Sequence, residues 1–456
     1  MSQQQTHTPE LIGRVTRAAV RPRPVWSSGS AFLIAAVAGV VGLGAIWRFP
    51  YLVGEHGGGS FVFAYLVCIA LIAVPLAVLE ASAGHSAEQS PVGLFRSLAG
   101  RAGALFGWAP VFVMVALMSY YFVITGWTMG YAGDSLAGRV RPFEDFTGGY
   151  LSLWMLFAVG VLAYLVLLRG VGALERVSRY LVGLLAMAVF ALAGYALTLE
   201  GAGDGLRFLT TIEGEYLFSG STWRAAAGQA FYQMGIGQGF LIAYGSYSPT
   251  GLNLVRATGV LATANVVVAI TSAVMIFPIV FTFGISPAAG AQLAFTAFPA
   301  VLDDLPAGAL VGVVFFGLLF IAAFTSCLGG AAVAIASVRD ELHLRAQPAA
   351  LLVVAVIVVL GIPSALSYTP FDLQAGGQPF LDAIDTLTGS GIVIAVGLIG
   401  SSLIAWLMPR RRLGLAMRMR RRRLGRYLII DSRWFVFYGR TLAAAGVAIL
   451  VISFFV

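Results

Sequence analysis

The chain has 456 residues, of which 59% are hydrophobic and only 11% are charged. Soluble proteins carry about 25% charged residues, so this composition excludes a soluble protein and predicts an all-α polytopic membrane protein in a lipid bilayer. The net charge of +8 comes from arginine, because the chain has no lysine. The arginines cluster at the ends of apolar segments, which indicates contact with anionic lipid headgroups and no nucleic-acid partner.

About eleven apolar segments are long enough to cross a bilayer, and with so little chain outside them they form one membrane domain. We number these predicted spans 1 to 11 and place them at 30–53, 60–84, 103–132, 150–168, 176–199, 224–247, 257–284, 307–338, 348–367, 381–408 and 434–456.

Arginine placement predicts the orientation, because cytoplasmic loops are enriched in positive charge. Arginines precede span 1 and follow the even-numbered spans, whereas the opposite loops contain only Arg139, Arg141, Arg207 and Arg224. We therefore expect the N-terminus in the cytoplasm and, since the number of spans is odd, the C-terminus outside. Residues 1–25 are predicted to be a cytoplasmic N-terminal arm.

Glycines interrupt two spans in corresponding places, at residues 39–44 of span 1 and 235–239 of span 6. Glycine frees backbone carbonyls and amides that lipid cannot satisfy, so such a break persists only inside protein or beside a wet cavity. Paired breaks are typical of a midplane binding site in a secondary transporter. The alternative is that these glycines only allow close helix packing.

Other function classes find little support. The histidines show no metal-site or catalytic-triad spacing, so we expect no enzyme. These residues are scattered at loops and helix ends: His7, His56, His85 and His343. A channel is disfavoured because no span carries a stripe of acidic or basic residues.

Three motifs carry a family resemblance: G-L-G-x-x-W-R-F-P at 42–50, three glycines at 57–59, and the end of span 2 at 75–80. With them the chain resembles the neurotransmitter:sodium symporter family, of the bacterial leucine-transporter kind. The resemblance implies the leucine-transporter fold, a 5+5 inverted repeat of helices plus one extra helix. Its parts would be a first repeat at 26–199, a second repeat with its preceding outer loop at 200–408, and a basic cytoplasmic loop with span 11 at 409–456.

The function that this resemblance implies is sodium-coupled symport of amino acids into the cell by alternating access, as a multi-pass protein of the bacterial inner (plasma) membrane. Two alternatives stay open. One is a relative with a single sodium site that carries an amine or another solute that is not an amino acid. The other is a substrate sensor with low transport, which would bind without accumulating its ligand.

The resemblance assigns a sodium site, the second of the family's two, to neutral oxygens of spans 1 and 8. Its ligands would be the carbonyls of Ala38, Val41 and Ala322 and the hydroxyls of Thr325 and Ser326. The alternative for the hydroxyls is back-bonding to the preceding helical turn, which is common for Thr and Ser in spans.

The family's first sodium site departs from the pattern. Ala45 stands where the family has an Asn ligand, and Gln233 stands where it has a Thr ligand. Two other ligands of the family's site are retained, the Asn265 side chain and the backbone carbonyl of Val40. The Gln233 amide would offer its oxygen to sodium, or donate its NH2 to the substrate carboxylate with no ion present, or simply bridge two helices. We therefore expect sodium as the coupling ion, with the second of two ions left open.

The family resemblance also implies which residues form the substrate site. The substrate carboxylate would be bound by the backbone amides of Leu43 and Gly44 and the hydroxyl of Tyr121. The substrate amino group would be bound by the backbone carbonyls of Val40, Tyr232 and Gln233. The side-chain end would be lined by Leu117, Tyr121, Gly235, Gln238, Ser326 and Gly330. Because two of these are glycines, we expect room for a large or aromatic side chain. The alternative for Tyr121 is a tyrosine that only packs.

Charged residues at the ends of the site resemble the family's gates. Arg48 and Asp385 would close the outer side above a lid of Tyr121 and Tyr232. Inner-side residues would be Arg23, Trp26 and Asp340. Solvated helix ends are the alternative, since exposed ion pairs contribute little.

Glu80 lies within span 2, where a charge is costly. The resemblance implies a structural role for it, in which it accepts hydrogen bonds from amides freed by the break in span 6. Chloride is not expected as a cofactor: Tyr65 and Gln229 match chloride ligands of the family, but Ala269 occupies the position of a ligating serine.

Overall fold

The computed structural model describes residues 28–452 except 41, 170, 250, 289–292, 294, 296–298, 300, 301, 303–306, 411 and 414–431. The predictions made for residues 1–25, Arg23, Trp26, Val41 and most of the basic loop lie outside the described residues.

The described chain is almost entirely helical. In its first part the helices cover Gly29–Val40, Phe49–Glu55, Gly59–Cys68, Val74–Ala87, Pro91–Leu136, Phe143–Thr147, Leu151–Leu167 and Val171–Ala196. In its second part they cover Ala202–Thr210, Gly214–Leu217, Gly220–Met234, Phe240–Ser246, Leu254–Thr282, Gly308–Leu342, Ala346–Ala365, Phe380–Leu387, Val393–Leu407 and Ser432–Ile452.

Helices confirm most of the predicted spans, although the helix Pro91–Leu136 is kinked at Ala99 and Gly100, which have non-helical backbone angles. Among the described residues, six helices are long and apolar enough to cross a membrane: Gly59–Ala87, Pro91–Leu136, Leu254–Thr282, Gly308–Leu342, Ala346–Ala365 and Phe380–Leu407. Spans 1 and 6 are instead each divided into two shorter helices, as the glycine breaks predicted. The division of the chain into inverted repeats stays a prediction.

The break in span 6 is formed by alternate glycines with positive φ. Gly235, Gly237 and Gly239 have φ angles of 71°, 74° and 69°. Side chains with a Cβ rarely adopt this conformation, so the pattern G-x-G-x-G ends one half-helix at Met234 and starts the next at Phe240.

Among the described residues, the π-helical turns at Gly44–Arg48, Ile69–Ala73 and Thr388–Ile392 were not predicted from the sequence. A π turn inserts one residue into a helix and is frequent at functional sites. The first and third of these turns flank the place where spans 1 and 10 meet.

The half-helix Gly29–Val40 packs against spans 5, 7 and 8, and span 8 packs along span 3. The first break therefore lies inside the protein. On the side that the arginine pattern predicts to face outside, the loop at 200–223 contains two short helices, and a two-stranded antiparallel hairpin pairs Gln374–Ala375 with Gln378–Pro379.

Candidate substrate and ion site

Side chains from spans 3 and 8 converge on the first break. A Cβ placed on Gly42 would lie 1.9 Å from Ser326 Oγ and 2.8 Å from the Tyr121 hydroxyl oxygen. Only glycine fits at this position, because any other side chain would displace both groups. The structure thus brings Tyr121 and Ser326 to the unwound backbone, as the sequence predicted.

Between the two breaks lies a small cavity of about 30 Å³. Seven predicted substrate-site residues line it: Leu117, Tyr121, Tyr232, Gly235, Gln238, Ser326 and Gly330. Three other predicted residues, Leu43, Gly44 and Gln233, do not line this cavity, and the side chain of Val40 lies outside the described part of the structure. Three lining residues were missed: Met114, Met118 and Phe240.

The two methionines fill the space beside Gly330. A Cβ on Gly330 would lie 2.5 Å from Met118 Sδ and 2.8 Å from Met114 Sδ. On span 3 these methionines lie one turn before Leu117 and Tyr121, on the same helix face, and this spacing could have identified them. Because methionine is flexible, this end of the cavity is able to change shape.

The outer end of the cavity is closed by Tyr232. Its ring lies 2.8 Å from the Cβ position of Gly44, and the Arg48 guanidinium lies over the same ring, 4.9 Å from its centre. Arg48 Nε lies 3.4 Å from Asp385 Oδ2, so the predicted pair does meet.

The Arg48–Asp385 pair is part of a larger hydrogen-bond network. Asp385 also accepts from the hydroxyls of Tyr51 at 3.1 Å and Tyr120 at 2.8 Å. Arg48 donates to Gln229 Oε1 and to Ser390 Oγ, both at 2.6 Å. The sequence had not identified Tyr51, Tyr120 and Ser390.

An outer cavity of about 510 Å³ begins above this network. Arg48 and Asp385 form part of its floor, and Glu55, His56 and Arg224 line its sides. Burial and the charge of Arg224 lower the pKa of His56. The network thus lies between the smaller cavity and this larger, polar one.

The predicted sodium ligands of span 8 lie on one buried helix face. Thr325 Oγ1 donates to the carbonyls of Ile321 at 2.9 Å and Ala322 at 3.0 Å, so the back-bonding that the sequence left open does occur. A donating hydroxyl still has lone pairs for a cation. Ser326 Oγ has no hydrogen-bond partner among the described residues. These neutral oxygens, opposite buried Ala38, suit a monovalent cation.

Glu80 makes the predicted contact with the second break. Its Oε1 accepts from the backbone amide of Gly237 at 3.1 Å, and the side chain is buried. The carboxylate thereby satisfies a donor that the unwound backbone exposes inside the membrane domain.

The sequence pattern of the sodium:neurotransmitter symporter family matches residues 23–150 and 147–430. The chain belongs to this family. It is 31% identical to YhdH, an uncharacterized sodium-dependent transporter of Bacillus subtilis, over 84% of this chain and 87% of that protein. The bovine sodium-dependent neutral amino acid transporter B(0)AT2 is 27% identical over 50% of this chain and 36% of that protein.

A solved symporter structure has the same fold. The crystal structure of MhsT in complex with L-phenylalanine matches with a TM-score of 0.87 at 31% identity, over 95% of this chain and all of that chain (100%). The predicted leucine-transporter fold is thus confirmed. The protein is a multi-pass sodium-coupled symporter and not an enzyme.

In this symporter the two candidate chloride ligands are bonded within the protein. The Tyr65 hydroxyl donates to Gln233 Oε1. Gln229 Nε2 donates to the carbonyl of Gly44 at 2.6 Å, and its oxygen accepts from Arg48. Ala269 is fully buried and offers no polar group.

At the end of the symporter that is predicted to face the cytoplasm, Asp340 lies in the last turns of span 8, while its predicted partners lie outside the described residues. The neighbouring Glu341 forms an ion pair with Arg96, which follows span 2. Sequence analysis missed this pair.

Proposed function

We propose that the protein imports amino acids with a large hydrophobic or aromatic side chain, together with sodium, across a bacterial inner membrane. The observation that carries this proposal is the cavity between the two breaks, with Tyr121 at the first break and Met114, Met118 and Gly330 at the far end.

The two ends of the cavity suit the two ends of such a molecule. Backbone amides of Leu43 and Gly44, with the Tyr121 hydroxyl, would bind the carboxylate, because half-helix N-termini attract anions. The methionine end is apolar and flexible, so a side chain as large as that of phenylalanine fits once the sulfur atoms move. MhsT, the structural neighbour, was solved with L-phenylalanine, which supports this choice.

The carbonyl of Tyr232, which is expected to accept from the substrate amino group, already accepts hydrogen bonds within the protein. The carbonyl of Tyr232 already accepts from Gln238 Nε2 at 3.0 Å and from the amide of Gly235 at 3.2 Å. A carbonyl oxygen has two lone pairs, so a substrate ammonium group must displace Gln238 to bind there. Gln238 therefore moves when substrate binds, and its amide becomes free to contact the side-chain end.

Sodium would bind between Ala38 and Val41 of span 1 and Ala322, Thr325 and Ser326 of span 8, and the outer gate would be the Arg48–Asp385 network. An ion at this place would connect span 8 with the half-helix Gly29–Val40, which leads into the first break. It would therefore favour the conformation in which the substrate site is formed. Such a difference in ion affinity between two conformations is what couples the two solutes.

A thermal-unfolding screen of the purified protein tests this proposal. Phenylalanine should raise the unfolding temperature in sodium chloride more than alanine does, and much less in choline chloride, because binding only to the folded state stabilises it. The matched ligand is phenethylamine, which has the same side chain and amino group but no carboxylate. Equal stabilisation by phenethylamine would instead indicate an amine transporter.

A further inference from the structure

Gln233 and Asn265 form a buried polar pair between spans 6 and 7, next to Tyr65 of span 2. Their side chains are 1% and 0% exposed. The Tyr65 hydroxyl donates to Gln233 Oε1, and Asn265 Nδ2 donates to the backbone carbonyl of Gln233 at 3.2 Å. The pair is thus held in place by spans 2, 6 and 7.

Two polar atoms of this pair, Gln233 Nε2 and Asn265 Oδ1, have no hydrogen-bond partner among the described residues. An unmet donor is costly in a membrane interior, where water cannot compensate for it. A buried polar atom without a partner requires an explanation, and a bound molecule that supplies the missing group is one. For Gln233 Nε2 that group must be an acceptor.

The surrounding oxygen atoms do not suit a cation. A hard cation requires several oxygen ligands, yet of the Gly44 carbonyl, the Gln233 oxygens and the Asn265 side-chain oxygen, only Asn265 Oδ1 has no hydrogen-bond partner among the described residues. The carbonyl of Gly44 accepts from Gln229 at 2.6 Å, that of Gln233 accepts from Asn265, and Ala45 has no side-chain oxygen. The amide NH2 of Gln233 also carries partial positive charge, which repels a cation.

An anionic acceptor suits the same place. Gln233 Cγ lies 3.6 Å from the Cβ position of Gly44, so the side chain runs beside the unwound backbone that is expected to bind the substrate carboxylate. We propose that Gln233 Nε2 donates directly to the substrate carboxylate and replaces a sodium ion there, so that each transport cycle carries one sodium. This inference rests on the proposed function, since it assigns the acceptor to an amino acid.

The ion stoichiometry of the full-length protein in proteoliposomes tests the inference. With the membrane potential held at zero, the final accumulation of phenylalanine depends on the sodium gradient raised to the number of coupled ions. For one ion, a tenfold gradient should give about tenfold accumulation, and for two ions about a hundredfold. A quadratic dependence overturns the inference and leaves sodium-coupled import standing. No sodium-driven uptake at all would remove the proposed function, and the inference with it.

Variants provide a second test. The double substitution Ala45→Asn/Gln233→Thr supplies two oxygen ligands and removes the amide donor, so the exponent should rise from one towards two. Gln374→Thr, on the exposed outer hairpin, is the matched control and should leave it at one. An active double variant with an unchanged exponent counts against the inference. If the double variant does not fold, the wild-type exponent still decides.

Gln233→Leu separates a carboxylate contact from a purely structural role. Loss of a hydrogen bond to a charged group should raise the KM for phenylalanine by about tenfold or more. Inhibition by phenethylamine, which has no carboxylate, should change much less. If both ligands weaken equally, Gln233 only supports the helices, and the inference is wrong.

Discussion

Arg48 and Asp385 are 337 positions apart in the chain, yet Arg48 Nε lies 3.4 Å from Asp385 Oδ2 and both side chains are almost fully buried. The hydroxyls of Tyr51 and Tyr120 also donate to this carboxylate. Spans 1, 3 and 10 are therefore joined at one acidic group, directly above Tyr232. If this junction is the proposed outer gate, we expect a transport cycle to break and remake it to admit a substrate.

The substitution Asp385→Ala should abolish uptake and destabilise the protein. It leaves the Arg48 guanidinium buried without its counter-charge, which typically costs about 3–5 kcal/mol. The unfolding temperature in detergent measures the effect. Asp134→Ala is the control, because it breaks an ion pair with Arg141, whose side chain is 42% exposed, and should cost less than about 1 kcal/mol. Similar losses in both variants would mean that burial of the Arg48 pair carries no special cost.

Gly237→Ala should prevent folding or transport, because the second break has no room for a Cβ. The added atom would lie 2.4 Å from the carbonyl oxygen of Val393, a backbone atom, at a residue with φ of 74°. Gly376→Ala is the control, because Gly376 in the outer hairpin has a similar φ of 64° but open space around its Cβ position. It therefore measures the backbone strain without the steric clash. It should cost about 1 kcal/mol and retain uptake. Normal expression and uptake of Gly237→Ala would show that the break is not packed as described.

Gly330→Ala should reduce transport of large substrates more than small ones. The new methyl group meets Met118 Sδ at 2.5 Å, so the methionines must move towards the space that a phenylalanine ring would use. Overpacking of this kind costs about 1–3 kcal/mol, which corresponds to roughly a tenfold or greater rise in the KM for phenylalanine. Gly317→Ala, in the same helix with open space, should have no effect. An equal rise in the KM for alanine and for phenylalanine would contradict the proposed position of the substrate side chain beside Gly330.

Replacing chloride by gluconate should leave sodium-driven uptake unchanged. Tyr65 donates its only hydroxyl proton to Gln233, Gln229 is bonded to Gly44 and Arg48, and Ala269 has no donor. An anion would have to break these buried bonds to bind. The measurement is the initial rate of uptake at constant sodium, and a loss of more than half in gluconate would contradict the prediction.

The sequence predicted the features that depend on backbone chemistry or on a specific motif. Glycine spacing located the break in span 6, and the family resemblance, which the motif at 42–50 helps to carry, implied that Arg48 pairs with Asp385. Gly330 shows where such reasoning stops, because the sequence indicates an absent side chain but not which neighbours fill the space. Met114 and Met118 do so. Their spacing puts them on the same face of span 3 as Leu117 and Tyr121, and the packing of span 3 against span 8 brings that face to Gly330.

The π turns illustrate a second limit. Gly44–Arg48 and Thr388–Ile392 hold Arg48 and Ser390 at the place where they bond, but an inserted residue leaves no composition signal of its own. Tyr120 was missed for a related reason. Tyr121 faces the first break and its neighbour faces the gate, and the choice between adjacent tyrosines depends on helix rotation, which the apolar pattern of a buried span does not fix.

The most direct test of sodium-coupled amino acid import is uptake of radiolabelled phenylalanine into proteoliposomes that contain the full-length protein. With an inward sodium gradient, phenylalanine should accumulate above its external concentration, and Thr325→Val, which removes a predicted sodium ligand, should reduce this accumulation by about tenfold or more. Equal uptake with sodium and with choline, or accumulation that Thr325→Val leaves unchanged, would contradict the assignment of both solutes to this site.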